Sequence, residues 1–146
     1  MATSDIKDPY LNFNFHVEID GITRAAFQQC AGFDSTIDVT EYREGGENTT
    51  PRKLPGMTKY SNIQLKRGIT DDTELYDWHL QTIQGDILRK NGSIVLYDRK
   101  RVEVARWNFV RAWPSKYDGP DLSAESHDVA IEMLELVHEG LERVKV

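Results

Sequence analysis

Leu11-Asn-Phe-Asn-Phe-His-Val-Glu-Ile19, closed by Asp20-Gly21, is the stretch from which the rest of the chain can be read. Apolar side chains occupy every odd position (Leu11, Phe13, Phe15, Val17, Ile19) and polar ones stand between them. A period of two puts one face of a strand in a core and the other in water, and Asp-Gly at its end is a hairpin signal. Working outward, residues 23–33 read as a second strand that alternates less cleanly until Gly32 breaks it. Residues 36–42 read as a third, with Ile37, Val39 and Glu41 on one side, and residues 60–67 as a fourth, with Ile63 and Leu65 sharing a face.

One helix interrupts this pattern. Asp71 and Glu74 have capping-box spacing, and acids gather where a helix dipole favours them. Leu75, Trp78, His79, Thr82 and Ile83 then recur at three and four residues, which predicts an amphipathic helix over 72–88. Asn91-Gly92 reads as a turn, 94–97 as a strand, 98–101 as a turn, 102–113 as a long strand and 114–120 as an irregular connection. Between 125 and 143, Val129, Met133, Leu136 or Val137, Leu141 and Val144 fit a helical stripe, while Val129, Ile131, Met133 and Val137 also alternate. Local propensity favours helix there.

With 146 residues the chain is expected to form a single domain, 1–146. At 39% hydrophobic and 29% charged it lies outside the composition of disordered chains. No apolar run reaches the roughly 20 residues of a membrane span, and the first ten lack the grammar of a signal peptide. A cytosolic site of synthesis with no membrane anchoring is the expectation. A net charge of −6 opposes sequence-independent binding to polyanions.

The motifs of catalysis are missing: there is no GxSxG, CxxC, HExxH, GxxxxGK[ST] or GxGxxG. His16, His79, His127 and His138 lie far apart in sequence, so no metal site is read, and no cofactor or catalytic site is expected. Cys30 has no second thiol to pair with and reads as a small, partly buried hydrophobe on a strand. Asp71 and Asp72 are explained by helix capping, and Glu132, Glu135 and Glu139 by a solvated or inter-subunit face. Arg99, Lys100, Arg101, Arg106 and Arg111, interleaved with Trp107, Phe109 and Trp113, have the composition of a nucleic-acid platform. In an acidic protein the simpler reading is a strand with rings inward and charges paired outward.

The segment 43–57, REGGENTTPRKLPGM, has three glycines and two prolines and is almost devoid of apolar residues. A compact domain rarely keeps so long a loop without a use. Glycines permit unusual backbone angles and prolines limit the entropy lost on docking, which suits an arm reaching for a partner.

Several blocks together resemble the tail-tube family of contractile phages and extracellular contractile injection systems. They are Phe15-His-Val-Glu-Ile-Asp-Gly21, Tyr42-Arg-Glu-Gly-Gly-Glu-Asn48, Leu54-Pro-Gly-Met-Thr-Lys-Tyr60 with Leu65-Lys-Arg-Gly68, and Val129-Ala-Ile-Glu132 with Glu135-Leu-Val-His-Glu-Gly140. Arg89-Lys-Asn91, Trp113-Pro-Ser-Lys-Tyr117 and Gly119-Pro120 add to the likeness. The resemblance implies a mainly β (α+β) fold: two packed antiparallel sheets forming a small barrel flanked by one helix, akin to the type VI secretion tube protein. It turns 129–138 into a strand, and that reading is adopted over propensity.

As function, the resemblance implies a structural, non-enzymatic subunit of the inner tube of a contractile tail, an injection system or a tailocin. Hexameric rings would stack into a rigid hollow tube inside a sheath, on a baseplate and under a tube-terminating protein. Cargo or DNA would pass through the lumen without tight binding. Assembly would take place in a bacterial cytoplasm before the particle is complete. The alternative is a tube-like adaptor that forms only the first ring on the baseplate. In the stacked tube that the resemblance implies, the inter-ring arm would comprise Arg43, Glu44, Gly45, Gly46, Asn48, Arg52, Lys53, Leu54, Pro55 and Gly56.

Overall fold

The computed structural model describes residues 9–10, 14–25, 27–43, 45 and 50–146, without the side chains of 23–25. In chain order the elements are β1 (Phe15–Ile19), β2 (Ile22–Ala25), β3 (Gln29–Ala31), β4 (Ser35–Tyr42), β5 (Arg52–Tyr60) and β6 (Ile63–Gly68). They continue with α1 (Glu74–Ile83), β7 (Lys90–Tyr97), β8 (Glu103–Asp118), β9 (Ile131–Val137) and β10 (Gly140–Val144). All pairings are antiparallel.

The molecule is mostly β with one helix. Its two sheets share the long strand β8. The first half of β8 lies between β7 and β10, with β1 and then β2 beyond β7; the second half pairs β9, followed by β6 and β3. The order runs from β2 to β3 without those two strands pairing, so among the described residues the two packed antiparallel sheets flanked by one helix are as expected, and the small barrel they form is open between β2 and β3.

A bulge carries β8 from one sheet to the other. Lys90 faces Ala112 but Gly92 faces Phe109, which leaves Val110 and Arg111 opposite Asn91 alone. Arg111 takes φ 53, and its N–H donates to Asn91 Oδ1 at 3.0 Å. The extra residue inverts the inward set from Ala105 and Phe109 to Ala112 and Pro114. Strands that change sheet at such bends make the corners of packed sandwiches.

Asn91-Gly92 is therefore not the expected turn but part of β7. A Cβ on Gly92 would lie 2.3 Å from Phe109 Cζ, so this glycine is required by close packing. Nor is 114–118 irregular, since β8 runs on to Asp118. Pro114 is tolerated because it adjoins a register shift between Pro114 and Lys116.

The strand at 131–137 replaces the helix that local propensity favoured. Its inward phase is also opposite to the apolar alternation, because Glu132, Leu134 and Leu136 are buried while Ile131, Met133 and Val137 are half-buried. Glu132 is admitted to the core by Arg67, whose Nε donates to its Oε1 at 2.7 Å, and by the Tyr117 hydroxyl, which donates to its Oε2 at 2.6 Å. Arg67 also donates to the Asp72 carbonyl at 3.1 Å, so this buried network fixes the start of α1 to the second sheet.

Helix α1 is shorter than its expected span. Gly85, at φ 91, follows its C-cap, and Leu88 folds back so that its carbonyl accepts from Trp78 Nε1 at 2.8 Å. The Asp71 and Glu74 capping box does not form; Asp72 Oδ1 instead accepts from the Glu74 N–H at 3.0 Å. Leu75 and Trp78 enter the core with Val17, Ile19, Ile63, Leu65, Phe109, Leu134 and Leu136.

Candidate assembly interface

Among the described residues, strands β4 and β5 pair only with each other and form a two-stranded ribbon outside both sheets. The segment read as a loop over 43–57 is thus largely strand: Arg52, Lys53, Leu54, Pro55 and Gly56 all belong to β5. Arg43 ends the described part of the β4 side and Gly45 lies in a turn, while Glu44, Gly46 and Asn48 lie outside the described residues. At about 3.3 Å per residue the ribbon reaches some 26 Å.

Its register sets two faces. Ile37 faces Thr58, Val39 faces Pro55 and Glu41 faces Lys53; on the other side Thr36 faces Lys59, Thr40 faces Leu54 and Tyr42 faces Arg52. Between Ile37 and Val39 the register shifts, leaving Gly56 and Met57 opposite Asp38. Gly56 stands in the bulge, where an added Cβ would come to 3.0 Å from the Asp38 carbonyl oxygen, tighter than an ordinary contact. Lys59 Nζ closes over Asp38 at 3.2 Å, an exposed pair that adds little stability.

Both faces display apolar side chains to solvent. Val39 is 65% exposed and Met57 74%, and Ile37, Tyr42 and Leu54 are exposed as well. Such a patch on a ribbon, rimmed by charges, marks an interaction surface. Sequence reasoning did not assign Ile37, Val39 or Tyr42 to the arm, and Met57 lay inside the 43–57 stretch without being singled out as a contact residue. The available signal was that β4 alternates apolar with polar residues, yet no helix or strand nearby in sequence offers its apolar side a cover.

The root of the ribbon is firmly held. Gly32, at φ 86, passes so close to Asn62 that a Cβ would lie 2.1 Å from the Asn62 carbonyl oxygen. The Ser61 N–H donates to the Asp34 carbonyl at 3.4 Å. His138, between β9 and β10, has Nε2 2.9 Å from the Ser61 carbonyl and Nδ1 3.1 Å from that of Gly140, with the Tyr60 ring 5.5 Å away. These contacts aim the arm from the second sheet.

The remaining candidate residues are dispersed. His16 lies against Tyr97, His79 Nδ1 is 3.2 Å from the Pro114 carbonyl, and His127 is exposed on the connection after β8. Among the described residues no group of His, Cys, Asp and Glu is arranged to hold a metal. Arg106 bonds Glu103, Arg111 bonds Glu139, Phe109 is buried and Trp107 packs edge-on to Phe33. Rings inward and charges paired outward therefore describes the middle of β8. Burial pushes the Cys30 thiol from 9.0 up to about 12, which makes it a poor nucleophile.

The geometry is that of an exposed ribbon on an open β sandwich, and residues 11–142 match the family described as T4-like virus tail tube protein gp19. The chain belongs to this tail tube family. A tail tube chain of this kind is a structural component. Two solved structures are similar over the whole fold. A chain of the anti-feeding prophage (AFP) baseplate is 25% identical, with TM-score 0.87 over 96% of this chain and 98% of that one. A chain of the PVC sheath-tube complex, an extracellular contractile injection system in its extended state, is 28% identical, with TM-score 0.86 over 100% and 99%. Hcp1 from Flavobacterium johnsoniae shares the fold alone, at 16% identity and TM-score 0.57 over 90% of this chain and 95% of that one. No curated protein sequence matches the tail tube chain.

Proposed function

We propose that this tail tube protein closes into hexameric rings through its strand edges and that the β4–β5 arm of each copy docks on the adjacent ring. The observation that carries the reading is a ribbon with exposed apolar residues on both faces, fixed at its root and, among the described residues, paired with no strand beyond itself. An isolated two-stranded hairpin is marginal in water, so its apolar cover must come from another molecule. Strands β2, β3 and β10 each have one partner among the described residues, and their free rims suit edge-to-edge closure.

The stacked rings form the inner tube of a contractile particle, together with sheath, baseplate and terminator proteins such as those in the AFP and PVC complexes. The tube is assembled in a bacterial cytoplasm, has no catalytic role, and is driven through a target envelope while cargo or DNA passes along its lumen. The arm residues Arg43, Glu44, Gly45, Gly46, Asn48, Arg52, Lys53, Leu54, Pro55 and Gly56 act here together with Ile37, Val39, Tyr42 and Met57.

The test is to replace residues 40–54 by a two-glycine turn and to image parent and variant by negative-stain electron microscopy. The parent is expected to form stacked tubes and the variant single rings with unchanged circular dichroism. Rings of the parent that never stack, even with sheath and baseplate proteins supplied, would favour a first-ring adaptor. A shortened variant that stacks as well as the parent would refute the role given to the arm.

A further inference from the structure

The two ends of β8 carry opposite charge. The turn that enters it holds Arg99, Lys100 and Arg101, all exposed. Asp98 shapes this turn by accepting from the N–H groups of Lys100 and Val102 at 2.8 and 3.0 Å. The strand leaves through Asp118 into the connection 119–130, where Asp121, Glu125 and Asp128 are also exposed and no Lys or Arg occurs. Among the described residues none of these seven side chains takes part in an ion pair. Each end also shows bare apolar surface, with Val102 beside the basic turn and Leu122, 82% exposed, in the acidic connection.

The two groups stand at opposite ends of the 16-residue strand β8, a contour of up to about 50 Å, and do not pair with one another among the described residues. Opposite charges at opposite ends of a repeated unit favour head-to-tail contact between copies. If rings close through strand edges, strand ends face the rings above and below; the inference rests on that part of the proposed function. We infer that the Arg99, Lys100 and Arg101 turn of one copy seats against the acidic 119–130 connection of a copy in the adjacent ring, with Val102 and Leu122 meeting between the charges. This contact is separate from the arm. It supplies the polarity and salt sensitivity of stacking.

Charge reversal tests it. Arg99→Glu with Lys100→Glu reverses the basic end; Arg101 is left alone because its φ of 62 makes substitution a backbone perturbation. Asp121→Lys with Glu125→Lys reverses the acidic end, and the combined variant regains the parent net charge of −6. All are compared at 0.15 M salt, where the screening length is about 8 Å, by circular dichroism, sedimentation and electron microscopy. Each single-end reversal should leave folded rings and reduce the stacked fraction at least about tenfold, a change worth about 1.4 kcal/mol, and the combined variant should stack again.

Single-end reversals that stack like the parent would overturn the contact while leaving the arm reading intact. So would a combined variant that fails to recover. Loss of the rings themselves would place the contact within a ring and equally refute the inference as stated. A parent that forms no stacked rings at all would remove the reading beneath it.

Discussion

Replacing Gly32 by alanine tests how the arm is anchored. The residue combines a left-handed backbone angle, φ 86, with a Cβ position 2.1 Å from the Asn62 carbonyl oxygen, and a contact with backbone cannot be relieved by turning a side chain. The angle alone costs alanine about 1–2 kcal/mol, and displacing packed structure to clear the oxygen costs about 1–3 more. A loss of about 2–5 kcal/mol corresponds to a fall in Tm of roughly 4–20 °C for a chain of this size. Two other glycines separate the causes. Gly85, at φ 91 with nothing within 4 Å, should show the angular cost alone, and Gly45, in open space without a positive φ, should show neither. Thermal melts should rank the alanine variants with position 32 lowest, then 85, then 45 near the parent. Because the chain enters the arm just after Gly32 and leaves it just before Asn62, tube formation should also weaken most in the first. If Gly32→Ala melts within about 2 °C of the parent and still builds full-length tubes, the close approach does not position the arm.

Arg67→Met strands the Glu132 carboxylate in the core and should cost about 3–5 kcal/mol in urea unfolding, while Arg67→Met with Glu132→Leu should recover most of it. A loss below about 1 kcal/mol in the single variant would contradict a buried ion pair. Burial, reinforced by the hydrogen bond to Glu132, pushes the Tyr117 hydroxyl from 10.0 up to about 12. The folded state then keeps a proton that the unfolded state releases, so this stabilisation is intact below pH 10 and drains between pH 10 and 12. Stability of the parent should fall more steeply over that window than that of Tyr117→Phe, and equal slopes would refute the assignment. Cys30 should react with a maleimide at pH 7.5 only over hours, and Cys30→Ser should assemble like the parent; labelling of the native protein within a minute would show that the thiol is not sequestered.

What could be read from the chain follows from how each residue is stabilised. β1 and the first half of β6 were legible because their inward positions (Val17 and Ile19, Ile63 and Leu65) are apolar and polar residues stand between them, so burial alone fixes the phase. β9 was not, because its phase is set by Glu132, a residue that enters the core only with Arg67 and Tyr117 from other strands. β5 was hidden for a different reason. Both faces of the ribbon meet solvent in the free chain, so no alternation is imposed, and Pro55 and Gly56 are acceptable where a ladder is unpaired or bulged. Composition marked 43–57 as unusual but not the β4 half of the ribbon, because a strand paired only with its hairpin neighbour looks like any other strand in one dimension. The bend in β8 was invisible too, since nothing local marks Arg111 as the residue that takes the left-handed angle.

The distribution of unpaired backbone decides what kind of contact the arm can make. The body's free edges are short, with four residues in β2, three in β3 and five in β10, whereas β4 and β5 have eight and nine. Left bare, the longer rims would be the preferred template for open-ended strand addition. Pro55 removes one donor, the Gly56 and Met57 bulge breaks the register, and Asp38, Glu41, Lys53 and Lys59 place charge along both strands. These are the features that discourage one ribbon from adding to another. What they leave available is the side chains, and chiefly Ile37, Val39, Leu54 and Met57. A surface that resists backbone pairing but exposes apolar knobs is satisfied by a shaped seat and not by any passing strand. On the proposed function, the arm gains its cover only once neighbouring copies have built such a seat, so ring closure through the short edges is expected to come before stacking through the long ribbon.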